Sequence, residues 1–327
     1  MNCVVMSNRD PKITFLICSW KAPDTLDETL LSIARQADLS VAETIVVNNG
    51  FSRTRALAIF RKFSVLSIRM VDEPRPGLGF ARHTGFQSAY GDAIVLLDDD
   101  NTLGNDFSSR LAEVIVENPN WGCIRPAVLP VWGREPPKWL LSFGKSCLSY
   151  NISSSDEFCA ENRVWRFPHL ENAERPPGGG MILHRAVVEQ YCRKAIREAR
   201  LGLGRIRNDL GGCEDADIFT FVKDARRDVI ACDNIMVWHH IPRHRTQLWY
   251  LLKLNYAMTR SYSALDRLRG QNISGEPIAL LRAVKNAIVP PLNDWVHWRI
   301  ATPLLLCRFA RNFGTLAGAY FGNLRKL

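Results

Sequence analysis

Three consecutive carboxylates follow a short apolar segment in the first third of the chain. Ala93–Leu97 has the composition of a buried strand, and Asp98, Asp99 and Asp100 come directly after it. Adjacent carboxylates repel one another unless a cation lies between them, and open α/β sheets bind ligands at the carboxyl ends of their strands. Mg²⁺ typically binds one or two carboxylates together with phosphate oxygens. The triplet therefore predicts a divalent metal that carries a diphosphate; a solvated acidic turn that caps the next helix is the alternative.

A second acidic pair, Glu214-Asp215, follows Gly211-Gly212 at the predicted start of a helix. Carboxylates are favoured at a helix N-terminus by the helix dipole, so the pair has a structural explanation as well. If a sugar is bound nearby, one of these carboxylates could act as a general base toward an acceptor hydroxyl.

Two histidines and one arginine are further candidates for an anion or metal site. His239 and His240 follow a predicted strand, where a histidine can bind a metal. Neighbouring side chains usually point in different directions, so we expect at most one of the two to do so. Arg82, on a predicted helix, could pair with an aspartate or reach a diphosphate; a solvated surface arginine is the alternative.

Two glycine-rich segments could bring the backbone close to a ligand. Gly77-Leu78-Gly79 precedes the helix that carries Arg82, and glycine-rich turns before helices often lie near phosphate. Gly178, Gly179 and Gly180 precede an apolar strand, where the absence of side chains permits close approach. A flexible hinge is the alternative for the second segment.

The chain that carries these residues alternates strands with helices of about 10–15 residues, which predicts βαβ units. The first predicted strands are Ile13–Cys18, Glu43–Val47, Val65–Val71 and Ala93–Leu97. Shorter strands are expected at 121–125, 181–183, 229–231 and 235–238. The predicted fold class is α/β: a Rossmann-like, mixed and mostly parallel sheet flanked by helices, with a C-terminal helical extension.

Two long segments lack the regular spacing of apolar residues that is typical of helices and strands. Residues 130–177 are rich in Pro, Trp and Ser and predict a long loop, which we assign to acceptor binding. Gly202–Gly212 is rich in glycine, and we expect it to be mobile.

The net charge of +9 is unevenly distributed along the 327 residues. Residues 1–240 carry 29 Lys and Arg against 30 Asp and Glu, whereas residues 241–327 carry 13 against 3. This asymmetry predicts two units, 1–243 and 244–327, and an anionic partner for the second. The nine cysteines include no CxxC pair, which favours buried thiols in a reducing compartment over a disulfide or zinc framework. We expect neither a signal peptide nor a membrane span.

The C-terminal unit has an amphipathic pattern. Leu305, Phe309, Phe313, Leu316 and Tyr320 fall within about 80° on a helical wheel, and the nearby arginines lie off that stripe. A basic amphipathic helix with aromatic residues predicts attachment to an anionic membrane surface. A helix packed on its own domain or on a partner subunit is the alternative. Nucleic acid is not expected as a partner, because no recognition motif accompanies the charge.

The order of the motifs resembles the family 2 glycosyltransferases of the GT-A fold. The resemblance covers roughly residues 12–250 and depends on these segments in this order: ITFLICSW, ETIVVNNG, GLGFARHTGFQSAYGDAIVLLDDD, PPGGGMILHR, GGCEDAD and HHIPRHR. It implies inverting transfer of a sugar from a nucleotide-sugar, UDP-linked in our interpretation, with Mg²⁺ or Mn²⁺ as cofactor.

The resemblance also implies roles for individual residues, with Asp98–Asp100 matching the metal-binding DxD motif. Asp100 would contact the metal together with His239 or His240. Asp98 would face the ribose, and Asp99 belongs to the same nucleotide-sugar site. Asp215, with Glu214 beside it, matches the catalytic base. The other implied contacts to the nucleotide-sugar are Arg82 beside the nucleotide, Arg245 on the diphosphate, and Gly179 and Gly180 beside the donor sugar and acceptor.

Two positions depart from the family pattern. The family often has an aspartate that reads the nucleotide base where this chain has Asn48, which offers a carbonyl acceptor but no charge. The usual Asn-Arg after the first strand is replaced by Ser19-Trp20-Lys21, and Trp20 could stack on the base instead.

The sequence thus predicts a metal-dependent inverting glycosyltransferase. We expect a nucleotide-sugar donor and a hydroxyl acceptor on a glycan or lipid-linked glycan, in polysaccharide or glycolipid synthesis. The expected location is cytoplasmic, peripheral on the inner face of the membrane. Of the two alternatives, a sugar nucleotidyltransferase would release pyrophosphate instead of a nucleoside diphosphate. A non-catalytic, basic membrane-binding scaffold would be insensitive to substitution of Asp100 and Asp215.

Overall fold

A computed structural model describes residues 11–36, 41–152, 159, 161–196, 199–270, 306–307, 309–311 and 313. Its strands are β1 (Ile13–Ser19), β2 (Val41–Asn48), β3 (Ile68–Asp72), β4 (Ala93–Asp98), β5 (Asn101–Leu103), β6 (Trp121–Trp132), β7 (Arg163–Trp165), β8 (Ile182–His184) and β9 (Asp228–Ile241). Its helices are α1 (Thr25–Ala34), α2 (Arg53–Lys62), α3 (Leu78–Ser88), α4 (Phe107–Glu117), α5 (Lys138–Phe143), α6 (Arg185–Ala195), α7 (Glu214–Asp224) and α8 (Leu248–Leu268).

The strands form one mixed sheet in the order β3-β2-β1-β4-β8-β6-β9-β5, and β7 also pairs with β9. The first four strands, β1 to β4, are parallel to one another. β8 runs antiparallel to both of its neighbours, β4 and β6. The predicted α/β class, with a mixed sheet flanked by helices, is therefore confirmed.

Alternating side chains of the central strands enter two hydrophobic cores, one on each face of the sheet. Phe15 and Ile17 of β1 pack with residues of α1, α2 and α4 on one face. Leu16, between them, packs with residues of α3, α6 and α7 on the other face. Because helices cover both faces, the carboxyl ends of the parallel strands remain as the edge where a ligand can bind.

Several predicted boundaries are corrected by the structure. β9 is one strand of 14 residues where two short strands were expected, and β6 continues to Trp132 instead of ending near residue 125. β3 begins at Ile68 instead of residue 65. Residues 130–177 are not one long loop, because they contain the end of β6, α5 and β7.

α8 packs against the preceding unit. Arg260 donates to Asp209 at 2.7 Å, and the Cys213 thiol donates to the Ser261 carbonyl at 3.2 Å. The division between residues 243 and 244 stays a prediction. Most of the predicted amphipathic stripe, namely Leu305, Leu316 and Tyr320, lies outside the described residues. Among the helices in the described ranges, none is long and apolar enough to cross a membrane.

Candidate active site

The acidic turn after β4 is held by β5 and β9. The Asp98 amide donates to Asn101 Oδ1 at 3.0 Å, which closes the turn. Asn101 begins β5 and pairs with His239 of β9, and the His240 amide donates to the Asp100 carbonyl at 2.9 Å. The carboxyl end of β4 and the last residues of β9 therefore meet at one edge of the sheet.

Arg82 joins the two acidic clusters. Its Nη1 donates to Glu214 Oε1 at 2.9 Å, and its Nη2 lies 3.4 Å from Asp98 Oδ1. The Arg82 side chain is only 4% exposed, so the alternative of a solvated surface arginine is wrong. Burial raises the pKa of Glu214 to about 7, against the opposing effect of Arg82. Burial also disfavours the charged form of Arg82, but Glu214 and Asp98 outweigh this and raise its pKa.

Asp99 points toward β1. Its Oδ2 accepts a hydrogen bond of 2.5 Å from the Ser19 hydroxyl, whose oxygen in turn accepts from the Ala22 amide at 3.0 Å. Burial raises the pKa of Asp99 to about 7, and the charges of Asp100 and Asp98 add to this effect. Ser19 and Asp99 therefore stabilise the loop after β1 against the acidic turn.

Asp100 faces basic side chains from the end of β9 and the segment after it. Arg245 Nη1 lies 3.1 Å from Asp100 Oδ2, and His239 Nε2 lies 3.7 Å from the same oxygen. Burial alone would raise the pKa of Asp100, but His239 and Arg245 outweigh it and lower the pKa to about 2. The carboxylate is therefore ionised at neutral pH, as a metal ligand must be.

Two buried atoms of this group suit a divalent metal. Asp100 Oδ1 and His239 Nδ1 are both buried, and within the described part of the chain neither has a hydrogen-bond partner. No cluster of three or more His, Cys, Asp or Glu that could hold a metal occurs among the described residues. The unpartnered oxygen of Asp100 suits a cation that takes one or two protein ligands and completes its coordination with phosphate oxygens.

His240 does not lie with this group. Its Nε2 is 3.1 Å from the Thr102 hydroxyl, and its Nδ1 is 4.0 Å from Glu28. The alternation of side chains along β9 directs the two histidines to opposite faces of the sheet. Of the two predicted metal ligands, only His239 lies beside Asp100.

Asp215 lies in the first turn of α7 and is paired with an arginine that the sequence did not single out. Arg175 Nη1 donates to Asp215 Oδ2 at 2.7 Å, and Arg175 Nη2 donates to the Tyr262 hydroxyl of α8 at 2.8 Å. Burial and the charge of Asp215 raise the pKa of Tyr262 to about 12, so the phenol keeps its proton. α8 therefore takes part in holding Asp215.

The glycines at 178–180 pack directly against the acidic clusters. A Cβ atom on Gly178 would lie 3.1 Å from both terminal nitrogens of Arg82 and 3.1 Å from Asp215 Cβ. A Cβ atom on Gly179 would lie 2.6 Å from Asp98 Oδ2, and Gly180 has a φ of +105°. The two acidic clusters thus meet around one segment of backbone, which side chains at these positions would obstruct.

Asn48 is the last residue of β2, and Trp20 directly follows the neighbouring strand β1. Asn48 Oδ1 accepts from the Gly50 and Phe51 amides at 3.0 and 2.8 Å, and its Nδ2 donates to Asp72 at 2.9 Å. The Asn48 side chain is therefore occupied in forming its own turn. Gly50 packs on the Trp20 indole, and a Cβ atom there would lie 2.8 Å from Trp20 Cδ1.

Sequence reasoning missed several residues of the site. These are Asn101, Arg175 and Tyr262. Asn101 directly follows the aspartates and Arg175 directly precedes the Pro-Pro-Gly segment, so their positions carried a signal. No feature of the sequence pointed to Tyr262, because this residue reaches the site only through the packing of α8.

Comparisons with known proteins show what the sequence and the fold are similar to. Residues 14–172 match Glycosyl transferase family 2. The succinoglycan biosynthesis protein ExoM of Rhizobium meliloti is 24% identical over 264 residues, which are 80% of this chain and 77% of that protein.

Two solved structures show the fold. S. aureus TarS 1-349 in complex with UDP-GlcNAc has a TM-score of 0.52 at 11% identity, over 95% of this chain and 92% of that chain. GalNAc-T7 with UDP, GalNAc and Mn²⁺ has a TM-score of 0.50 at 14% identity, over 81% of this chain and 52% of that chain. The fold and the site define a glycosyltransferase of the GT-A fold. Within that class, the chain is similar in sequence to glycosyltransferase family 2, whose model matches just under half of its residues.

Proposed function

We propose that this glycosyltransferase moves a sugar from a UDP-linked donor to a hydroxyl acceptor, with a divalent metal and with inversion at the anomeric carbon. The observation that carries the proposal is the convergence of two acidic clusters around Arg82 and Gly178. One cluster, at Asp100, has a buried carboxylate oxygen without a partner in the described residues, which suits a cation. The other, at Asp215, can accept a proton. A transfer in a single displacement requires both functions.

In the proposed reaction, Asp215 accepts the proton of the acceptor hydroxyl while the hydroxyl oxygen attacks the anomeric carbon. The bond between that carbon and the diphosphate oxygen breaks on the opposite face, and the nucleoside diphosphate leaves. Arg175, itself bound to Tyr262, holds the Asp215 carboxylate during this step. Arg82 keeps Glu214 and Asp98 in place beside the reacting groups.

Asp100 and His239 are the residues that would hold the metal. The metal would neutralise the charge that develops on the leaving diphosphate. Arg245, bound to Asp100, lies where it can contribute to the same stabilisation. The Mn²⁺ in the GalNAc-T7 structure supports a metal of this kind.

Donor recognition is proposed to involve Trp20 more than Asn48. The UDP and UDP-GlcNAc complexes of GalNAc-T7 and TarS support a uridine nucleotide. Trp20 lies just after the carboxyl end of β1, where its indole can stack on a base. Asn48 shapes the neighbouring turn through its bonds to Gly50 and Phe51.

A panel of nucleotide-sugars tests this proposal. The wild-type protein is expected to release a nucleoside diphosphate, and not pyrophosphate, from one of them.

In the Asp100→Ala variant, Mn²⁺ is expected no longer to strengthen UDP binding, because one of the proposed metal ligands is missing. With Mn²⁺ present, calorimetry should give a UDP affinity at least about tenfold lower than that of the wild type. Asp106→Ala, which changes an exposed aspartate six residues further on, is the control. Equal UDP affinity for Asp100→Ala and wild type with Mn²⁺ present would contradict metal binding by Asp100.

The acceptor is proposed to be a glycan or lipid-linked glycan at the inner face of the membrane. ExoM is a succinoglycan biosynthesis protein, which supports a glycan product. Phe309 and Phe313 are 59% and 57% exposed, whereas Cys307 is buried and the Arg311 carbonyl accepts from Thr259 of α8 at 2.8 Å. This segment thus contacts α8, in part through Phe313, whose ring stacks on Tyr256 with centroids 5.9 Å apart, and it leaves more than half of each phenylalanine exposed. That arrangement, with the positive charge of residues 241–327, supports binding to an anionic membrane.

Co-sedimentation with vesicles tests the membrane proposal. The protein is expected to pellet with phosphatidylglycerol vesicles and to remain in the supernatant with phosphatidylcholine vesicles, because the attraction needs anionic lipid. Phe309→Ser with Phe313→Ser is expected to weaken this binding. Equal pelleting with both lipids, or no change in the double variant, would argue against it.

A further inference from the structure

Arg205 lies in a segment that is fixed on two sides. Its carbonyl accepts from the Leu78 amide at 2.9 Å, at the N-terminus of α3. The Gly79 and Gly204 backbones are in contact, so that a Cβ atom on Gly204 would lie 2.2 Å from the Gly79 nitrogen. Just before α7, the Cys213 amide donates to the carbonyl of residue 203 at 3.0 Å. These contacts place Arg205 between the helix that carries Arg82 and the helix that carries Asp215.

The base of the Arg205 side chain lies next to the second acidic cluster. A Cβ atom on Gly212 would be 3.7 Å from Arg205 Cβ and 3.2 Å from Glu214 Oε2. Burial is the largest influence on the pKa of Glu214 and on the pKa of Asp100, and the Arg205 charge acts against burial at both carboxyls. The guanidinium is therefore within electrostatic reach of both clusters.

Arg205 differs from the other arginines of the site in having no carboxylate of its own. Ion pairs occupy the other three: Arg82 with Glu214 and Asp98, Arg175 with Asp215, and Arg245 with Asp100. The Arg205 side chain is half-buried and, among the described residues, has neither a hydrogen bond nor an ion pair. A partly desolvated guanidinium without an anion is unfavourable, so its position between two acidic clusters calls for an anionic ligand.

We propose that Arg205 binds the diphosphate of the nucleotide-sugar and stabilises the leaving nucleoside diphosphate. This inference rests on the proposed function. A guanidinium matches the geometry of phosphate oxygens and remains charged throughout the reaction. Its contribution is expected to grow as the bond to the sugar breaks and negative charge accumulates on the diphosphate.

Calorimetry with UDP and with uridine, both with Mn²⁺, tests this role. For Arg205→Met, UDP affinity is expected to fall at least about tenfold, while uridine affinity stays unchanged because uridine has no phosphate. Arg205→Lys should recover part of the loss. Arg207→Met, which changes an exposed arginine two residues further on, is the matched control and should bind UDP like the wild type. In transfer assays, Arg205→Met should lower kcat as well as raise the KM for the donor.

Three results would overturn the inference. Arg205→Met could fold with the wild-type melting temperature and bind UDP normally. It could weaken uridine and UDP equally, which would indicate a general distortion of the site. It could change only the KM for the acceptor, which would assign the arginine to the other substrate. A wild-type protein that binds none of UDP, GDP or ADP would overturn the proposed function together with this inference, whereas normal UDP binding by Arg205→Met overturns the inference alone.

Discussion

Replacing Asp215 with asparagine is expected to reduce sugar transfer by about 10²–10⁴-fold, because the amide cannot accept the proton of the acceptor hydroxyl. The substitution keeps the shape of the side chain and an oxygen that can accept from Arg175. Affinity for the nucleotide-sugar should be retained, since the Asp100 group, and not Asp215, would hold the diphosphate. The expected signature is a loss of kcat with an unchanged dissociation constant for the donor.

The measurement combines initial rates of nucleoside diphosphate release with calorimetry of donor binding. Asp224→Asn is the matched control, because Asp224 is at the other end of α7 and pairs with Lys194 on the surface at 2.9 Å. It should behave like the wild type. Transfer by Asp215→Asn at a rate within about threefold of the wild type would remove Asp215 as the base, because general bases contribute far more than that. Loss of donor affinity would instead assign it to donor binding.

The parts of the fold that could be predicted depend on continuous local signals. β1, β2 and β4 are apolar segments bounded by polar residues, and their predicted positions agree closely with the structure. The helices between them have regular apolar spacing. Local sequence is sufficient here because each element buries its own apolar side chains.

β9 shows where such reasoning fails. Its middle contains Asp233 and Asn234, which interrupt the apolar pattern and suggested two strands. In the structure Asp233 is 4% exposed and pairs with Arg125 of β6 at 3.0 Å. Residues 233–235 form a bulge in the pairing of β9 with β6, where an ion pair between residues 108 positions apart satisfies the buried carboxylate, and no local pattern contains that information.

In the candidate site too, the local sequence indicated some features and gave no information about others. Acidic residues at the end of β4 and the start of α7 were predictable, because their type and position indicate chemistry directly. Their partners were predictable only in part. An ion pair of Arg82 with an aspartate was expected, but its bond to Glu214 across 132 positions was not, nor was the bond of Arg175 to Asp215 across 40. The expectation that Asn48 offers its carbonyl to a base missed the contacts of that oxygen with the Gly50 and Phe51 amides, which only the structure shows.

Replacing Arg82 with methionine is expected to lower the free energy of unfolding by about 3–5 kcal/mol, because it leaves a buried carboxylate without its cation. The Arg82 and Glu214 side chains are 4% and 6% exposed, so water cannot replace the lost ion pair. Arg110→Met is the control for loss of an arginine ion pair. Arg110 is half-exposed and pairs with surface carboxylates, so its loss should lower the free energy of unfolding far less than the loss of Arg82.

The pH dependence of the Arg82→Met variant identifies the group responsible. Burial already raises the pKa of Glu214 to about 7 with Arg82 present, and removing that cation raises it further. The folded state then binds a proton that the unfolded state releases, so stability declines as pH rises, by up to about 1.4 kcal/mol per pH unit. Denaturant unfolding should therefore show a larger deficit, relative to wild type, at about pH 8.5 than at about pH 6. Adding Glu214→Gln to the variant should remove the extra loss of stability at high pH, because no carboxylate remains at this position to ionise. If the loss of stability relative to wild type were equal at both pH values, lost packing, and not an uncompensated charge, would be what destabilises the fold.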